Sequence, residues 1–179
     1  MSLLKRTGSN LSWILLSDLF AKGSMVFATV YLARILGVVE FGIFSLGVSI
    51  ANSIWPIVDL GVNGFGTREV AQNKKSANEL ISALNSLRLF ASLLITASAF
   101  VVLFNLGMDD NKTLALAASL LYLPCYAFCP DWVVRGLEKM NILFLINVTT
   151  AMVFIGVVLL LVHSPDNLVD ASLARALSF

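Results

Sequence analysis

Apolar stretches long enough to cross a membrane occupy most of this chain, and short charged segments separate them. A bilayer core about 30 Å thick requires roughly 20 apolar residues per helix. Five stretches meet that length, and they lie at about 11–33, 41–60, 80–104, 113–134 and 140–162. A further apolar stretch, 167–179, stops after 13 residues. The pattern predicts an all-α polytopic transmembrane helix bundle, one domain over 1–179 with five spans and the start of a sixth.

The composition excludes several classes of function. Of the residues, 58% are hydrophobic and only 13% are charged, which is far from the balance of a soluble domain. The net charge of +1 provides no basic field for nucleic acid. Cys125 and Cys129 have no histidine beside them, which argues against a zinc site. We find no catalytic constellation, and we expect no enzyme activity, no cofactor and no metal.

The distribution of lysine and arginine predicts how the chain threads the membrane. With five alternating spans, the N-terminus, the 61–79 loop and the 135–139 hinge share one side. That side carries seven basic residues, and the other side carries Arg34 and Lys112. The seven are Lys5, Arg6, Arg68, Lys74, Lys75, Arg135 and Lys139. The positive-inside rule therefore predicts a multi-pass protein of the cell inner (cytoplasmic) membrane with a cytoplasmic N-terminus.

Polar residues recur at helical spacing inside the spans and mark faces that point into a bundle. Asp18 and Lys22 lie four residues apart in the first span, where they can form an ion pair. Asn52 lies on the polar stripe of the second span, and Asn85 and Arg88 on that of the third. Two interpretations stay open. These residues either fix helix packing or present positive charge to a cavity for an anionic substrate, and Arg88 could instead snorkel towards cytoplasmic headgroups.

One glycine-rich segment needs an interpretation of its own. Gly61, Gly64 and Gly66 follow the second span with a spacing that does not fit a dinucleotide-binding fingerprint. We interpret them as a turn at the cytoplasmic end of that span.

Three segments together resemble the N-terminal part of the polysaccharide biosynthesis membrane proteins, the flippases of lipid-linked oligosaccharides. They are 31–50 (YLARILGVVEFGIFSLGVSI), 59–71 (DLGVNGFGTREVA) and 130–140 (PDWVVRGLEKM). Their order and spacing fit over residues 1 to about 170. Arg135 stands where many relatives carry glutamine.

The resemblance implies one lobe of a two-lobe transporter that works by alternating access. The substrate would be a polyprenyl-diphosphate-linked oligosaccharide of the O-antigen or capsule type, and the partners would be that lipid, membrane lipids and glycan-assembly proteins. Lys22 and Arg88 become candidate headgroup contacts, with Asp18 tuning Lys22 and Arg34 near the external mouth; Asn52 and Asn85 complete the candidate set. Because such proteins have 12 to 14 helices, we expect this chain to be an incomplete piece of a longer one.

Two alternatives remain open. In a cation-coupled multidrug antiporter of the same superfamily, Asp18 would be the ion-linked carboxylate. The substrates of such antiporters are cationic, and a cavity that holds Lys22 and Arg88 disfavours them. In a non-transporting membrane subunit or remnant, the chain would only associate with glycan-assembly enzymes.

Overall fold

The computed structural model describes residues 3–72 and 77–178, which form helices and short connections with no strand. In chain order the helices are α1 (Leu3–Asp59), α2 (Val62–Gln72), α3 (Ala77–Asn105), α4 (Asp110–Leu120), α5 (Tyr122–Ala127), α6 (Asp131–Gly136), α7 (Met140–Leu161) and α8 (Leu168–Leu177). The prediction of an all-α helix bundle is confirmed. Lys74 and Lys75, which entered the charge count, lie outside the described residues.

Four helical segments within the described ranges are long and apolar enough to cross a membrane. They are Leu15–Asp59, Glu79–Asn105, Asp110–Gly136 and Met140–Leu161. The first has 45 residues. At 1.5 Å per residue it would be about 68 Å long if straight, more than twice the thickness of a bilayer core. Its length therefore fits two crossings joined by a reversal.

The break in α1 lies at Gly37, whose φ of 74° and ψ of −179° are not helical. Residues with a Cβ atom rarely adopt this backbone conformation, whereas glycine adopts it without a steric penalty. We call residues 3–36 the first limb of α1 and residues 38–59 the second limb. The break falls inside the charged segment that separates the first two predicted spans.

Contacts with later helices show that the two limbs run in opposite directions. Asn147 Nδ2 donates to Ser17 Oγ at 2.7 Å, and Tyr31 Oη donates to the Val162 carbonyl at 3.0 Å. The first limb is therefore parallel to α7. Trp55, in the second limb, packs on Tyr126, and Gly47 faces Ser119. The second limb is therefore parallel to α4 and α5. Val162 at the end of α7 and Ala115 near the start of α4 lie in one core cluster with Leu36 and Phe44, on either side of the break, so α7 runs opposite to α4.

The glycine-rich segment forms a helix, so our interpretation of it as a turn is wrong except at Gly61, where φ is 78°. Gly64 and Gly66 lie inside α2. Gly66 is buried because the Trp132 ring lies where its Cβ would be. Thr67 Oγ1 donates to the Trp132 carbonyl at 3.2 Å. The absence of a side chain on Gly66 thus lets α2 lie directly against α6.

The fourth predicted span is segmented as α4, α5 and α6. Breaks occur at Leu121 and at 128–130. Pro124 and Pro130 lack the backbone N–H that a continuous helix would use, which accounts for the loss of regular hydrogen bonding nearby. This segmented stretch is also the most buried of the four membrane-length segments, since 56% of its most apolar part is buried inside the protein. It forms the centre around which the other helices pack.

Candidate functional site

A groove opens between the first limb of α1, α7 and α8, with a volume of about 270 Å³. Its lining residues are Ala21, Lys22, Ser24, Met25, Asn147, Thr150, Ala151, Phe154 and Arg175. Lys22 belongs to the polar face predicted for the first span. The groove therefore lies on the side of α1 where the sequence placed its polar residues.

Lys22 and Asp18 form the ion pair that their spacing predicts. Lys22 Nζ lies 3.4 Å from Asp18 Oδ2, and the two side chains are 79% and 57% exposed. Both side chains lie largely outside the packed protein, so the pair can exchange partners. Lys22 is thus a cation at the groove that a ligand can reach.

The opposite wall of the groove comes from α7, where Asn147 and Thr150 contribute polar groups to an otherwise apolar helix. Asn147 is fixed by its hydrogen bond to Ser17, which is itself 2% exposed. This bond joins the two helices that border the groove, α1 and α7.

Arg175 is a lining residue that sequence reasoning missed. Its guanidinium carbon lies 5.3 Å from the Tyr122 ring centre and 5.6 Å from that of Phe154. The signal was present, because Arg175 is the one basic residue in the apolar stretch 167–179. An ionisable residue in such a stretch is a candidate for function. We had treated that stretch only as the start of a span.

Arg88 lies in a different environment. It belongs to α3, and its side chain points towards the second limb of α1. Its side chain is fully buried, and its Nε lies 3.5 Å from Asp59 Oδ1. Its guanidinium carbon lies 4.8 Å from the Trp55 ring centre. An ion pair and a cation–π contact thus hold the charge inside the protein.

Several polar atoms around Arg88 are buried without a hydrogen-bond partner among the described residues. They are Asp59 Oδ1, Asn85 Oδ1, Asp131 Oδ1, Trp132 Nε1 and the three guanidinium nitrogens of Arg88. Donors and acceptors occur together here, and buried water commonly satisfies such sets. We call Asp59, Asn85, Arg88 and Asp131 the buried polar cluster.

The structure brings Asp18 and Lys22 together but places Arg88 apart from them, since Arg88 does not line the groove. Asn85 lies one helical turn before Arg88. Arg34 and Asn52 are exposed and also lie outside the groove lining. The substrate-binding roles of all six residues stay predictions.

Within the described residues, no three His, Cys, Asp or Glu side chains are arranged to hold a metal ion. Cys125 and Cys129 are free thiols, both partly buried. The chemistry on offer at the groove is therefore charge and hydrogen bonding from Lys22, Arg175, Asn147 and Thr150.

Comparison with known proteins identifies the family. A model of the polysaccharide biosynthesis protein family matches residues 7–179, nearly the whole chain. Neither the curated proteins nor the solved structures give a match. The match agrees with a helix bundle whose segments are long and apolar enough to cross a membrane. The chain therefore belongs to the polysaccharide biosynthesis protein family and is a membrane protein related to polysaccharide synthesis.

Proposed function

We propose that this protein takes part in moving a polyprenyl-diphosphate-linked oligosaccharide across the cytoplasmic membrane, as a transporter and not as an enzyme. The observation that carries the proposal is the placement of Lys22 at an open groove, in a helix bundle that belongs to the polysaccharide biosynthesis protein family. Arg34 and Asn52 are assigned no contact with the groove ligand.

The charge at the groove favours an anionic ligand. The charged lining residues are Lys22 and Arg175, and no carboxylate belongs to the lining. The Asp18 carboxylate, which lies outside the lining, is already paired to Lys22. Lys22 can accept a phosphate while Asp18 turns to solvent, because both side chains are exposed. A cationic drug would instead meet two like charges, so the groove disfavours the antiporter alternative.

The size of the groove bears on which part of the substrate it would hold. Sites for drug-sized ligands have volumes of about 300–1,000 Å³. A groove of about 270 Å³ lies just below that range and suits a headgroup better than a whole oligosaccharide. The polyprenyl tail would stay in lipid. Arg88 would act at a distance, by fixing the helices behind the groove.

The test is a binding measurement on the full chain in lipid nanodiscs. The probe is a fluorescent polyprenyl diphosphate that carries an oligosaccharide. Loss of one charge-assisted contact in Lys22→Gln should weaken binding by about tenfold or more. The matched control is Lys112→Gln, because Lys112 lies outside the groove and pairs with Asp109. Lys112 donates a hydrogen bond to the Asp109 carboxylate, and this bond lowers the pKa of Asp109.

Other outcomes separate the alternatives. Equal binding by Lys22→Gln and wild type would remove Lys22 from the site. Binding of a cationic drug that improves in Lys22→Gln would favour the antiporter. If the chain binds the lipid, does not move it in proteoliposomes and co-purifies with a glycosyltransferase, the non-transporting subunit is the correct function.

A further inference from the structure

A second pocket opens between α2, α5 and α6, with a volume of about 390 Å³. Its lining residues are Asn63, Gly64, Thr67, Tyr126, Asp131 and Arg135. All of them except Gly64 carry a polar group in the side chain. None of them lines the groove that holds Lys22. The polar pocket is therefore a separate site, suited to a ligand that makes hydrogen bonds and ion pairs.

The polar pocket lies where two membrane-length segments end. The first of the four segments ends at Asp59, shortly before α2, and the third ends at Gly136, beside Arg135. The ends of such segments lie at the level of the lipid headgroups. Phe65 and Phe128 belong to the same stretches of chain and are exposed. Large exposed apolar side chains at this level mark a surface that contacts lipid.

Asp131 is the fixed charge of the polar pocket. Its side chain is only 8% exposed, and its Oδ1 has no hydrogen-bond partner among the described residues. Arg135 Nε lies 3.8 Å from Asp131 Oδ2, which is longer than a hydrogen bond. A buried carboxylate needs close compensation of its charge. The pair with Arg135 supplies only part of it, so a second cation beside Asp131 would be favourable.

Arg135 is the adjustable charge of the polar pocket. Its side chain is 51% exposed, and its contact with Asp131 is long. Such a contact contributes little, so the guanidinium can turn to another anion. Its planar donor fork suits phosphate oxygens. The polar pocket thus presents a carboxylate and a guanidinium side by side, which complements a ligand that carries both an ammonium and a phosphate.

We propose that the polar pocket binds the headgroup of phosphatidylethanolamine, with the ammonium on Asp131 and the phosphate on Arg135. The inference does not depend on the proposed function. A primary ammonium donates hydrogen bonds to a carboxylate, as that of lysine does. The trimethylammonium of phosphatidylcholine has no such donor. Phosphatidylglycerol would bring an anion to Asp131 and no cation.

The first experiment measures binding of dioleoyl phospholipids to the full chain in detergent by native mass spectrometry. The headgroups are ethanolamine, its N-methyl and N,N-dimethyl derivatives, choline and glycerol. Affinity should fall along the methylated series, because each methyl group removes one donor. Phosphatidylethanolamine should bind about tenfold more tightly than phosphatidylcholine, the difference expected for a charge-assisted contact. This series uses only wild-type protein, so no loss of folding can obscure it.

Two variants assign the contacts. Asp131→Asn should remove the preference for phosphatidylethanolamine over phosphatidylcholine, because it removes the acceptor for the ammonium. Arg135→Gln should weaken both lipids alike, because both carry a phosphate. The matched controls are Asp110→Asn and Arg68→Gln, since both residues are exposed and lie outside the polar pocket. They should leave both affinities unchanged.

Several outcomes would overturn the assignment. Equal binding of phosphatidylethanolamine and phosphatidylcholine would do so, as would a preference for phosphatidylglycerol. A folded Asp131→Asn protein that keeps the wild-type preference has the same consequence. If free phosphoethanolamine binds as tightly as the lipid, the site serves a soluble zwitterion; if a free oligosaccharide displaces the lipid, it is a sugar site. None of these results changes the test of the groove by Lys22→Gln, so the two proposals fail separately.

Discussion

Lys22 and Arg88, the two cations that were predicted to contact one substrate, lie in opposite environments. Lys22 and Asp18 form a pair whose side chains are 79% and 57% exposed, at the edge of an open groove. Arg88 and Asp59 form a pair whose side chains are 0% and 11% exposed, inside the helix bundle. An exposed pair contributes little to stability and can change partners. A buried pair is costly to break, because either partner alone would be an uncompensated charge.

Glycine packing follows the same division. A Cβ on Gly23 or Gly156, in the helices that border the groove, would meet nothing within 4 Å. Cβ atoms on Gly47, Gly66 and Gly136 would come within 3 Å of atoms of neighbouring helices. Helices are thus in close contact at Gly47, Gly66 and Gly136, whereas the two glycines of the helices that border the groove have open space around them. The comparison indicates a fixed body and an accessible face in one bundle.

The largest expected effect that distinguishes the two regions comes from Arg88→Met. The substitution leaves Asp59, a member of the buried polar cluster, without its counter-ion. The free energy of unfolding should fall by about 3–5 kcal/mol, the range for breaking a buried pair. The measurement is reversible unfolding of the full chain in mixed micelles with increasing SDS.

A double variant controls for the charge. Arg88→Met combined with Asp59→Asn removes both ions and should recover a large part of the loss, because no bare charge remains buried. An Arg88→Met protein as stable as wild type would contradict the assignment of Arg88 to the fixed body. It would then favour the direct substrate contact that the sequence suggested.

The sequence predicted what depends on local spacing. The all-α bundle follows from apolar runs of membrane length. The pairing of Asp18 with Lys22 follows from their separation of four residues on one helix. The reversal at Gly37 lies between two apolar runs, where a glycine and charged residues interrupt the pattern. In each case the relevant neighbours are close in sequence.

The sequence did not reveal what depends on which helices become neighbours. Lys22 and Arg88 both lie on polar faces, and a periodicity within each helix cannot say that those faces point to different places. Helix α2 was missed because two glycines in its sequence suggested a turn, whereas close packing on Trp132 and Gly136 supports the helix. Arg175 was missed because its ring contacts come from α5 and α7, distant in sequence.

The next effect in size comes from Gly136→Ala. Its Cβ would lie 2.8 Å from the Thr67 carbonyl oxygen and 2.9 Å from Val70 Cβ. Backbone atoms cannot give way as a flexible side chain can, so α2 and α6 should be forced apart. Overpacking of this kind typically costs about 1–3 kcal/mol. SDS unfolding should register the loss of stability.

Gly156→Ala is the matched control, because Gly156 also lies in a helix but has open space around it. Alanine should there raise stability by up to about 1 kcal/mol through its better helix propensity. Opposite signs for the two variants would support the division into a packed and an open region. The same sign and size for both would contradict it.

The smallest expected effect on stability is that of Lys22→Gln. The lysine has only an exposed ion pair to lose, and such pairs contribute less than about 1 kcal/mol. SDS unfolding should therefore place Lys22→Gln close to Lys112→Gln, in which a second exposed lysine loses its pair with Asp109. The same Lys22→Gln protein should bind the polyprenyl diphosphate about tenfold less well. A stability loss as large as that of Arg88→Met would instead mean that Lys22 holds the bundle together, and the weakened binding would then report a damaged fold.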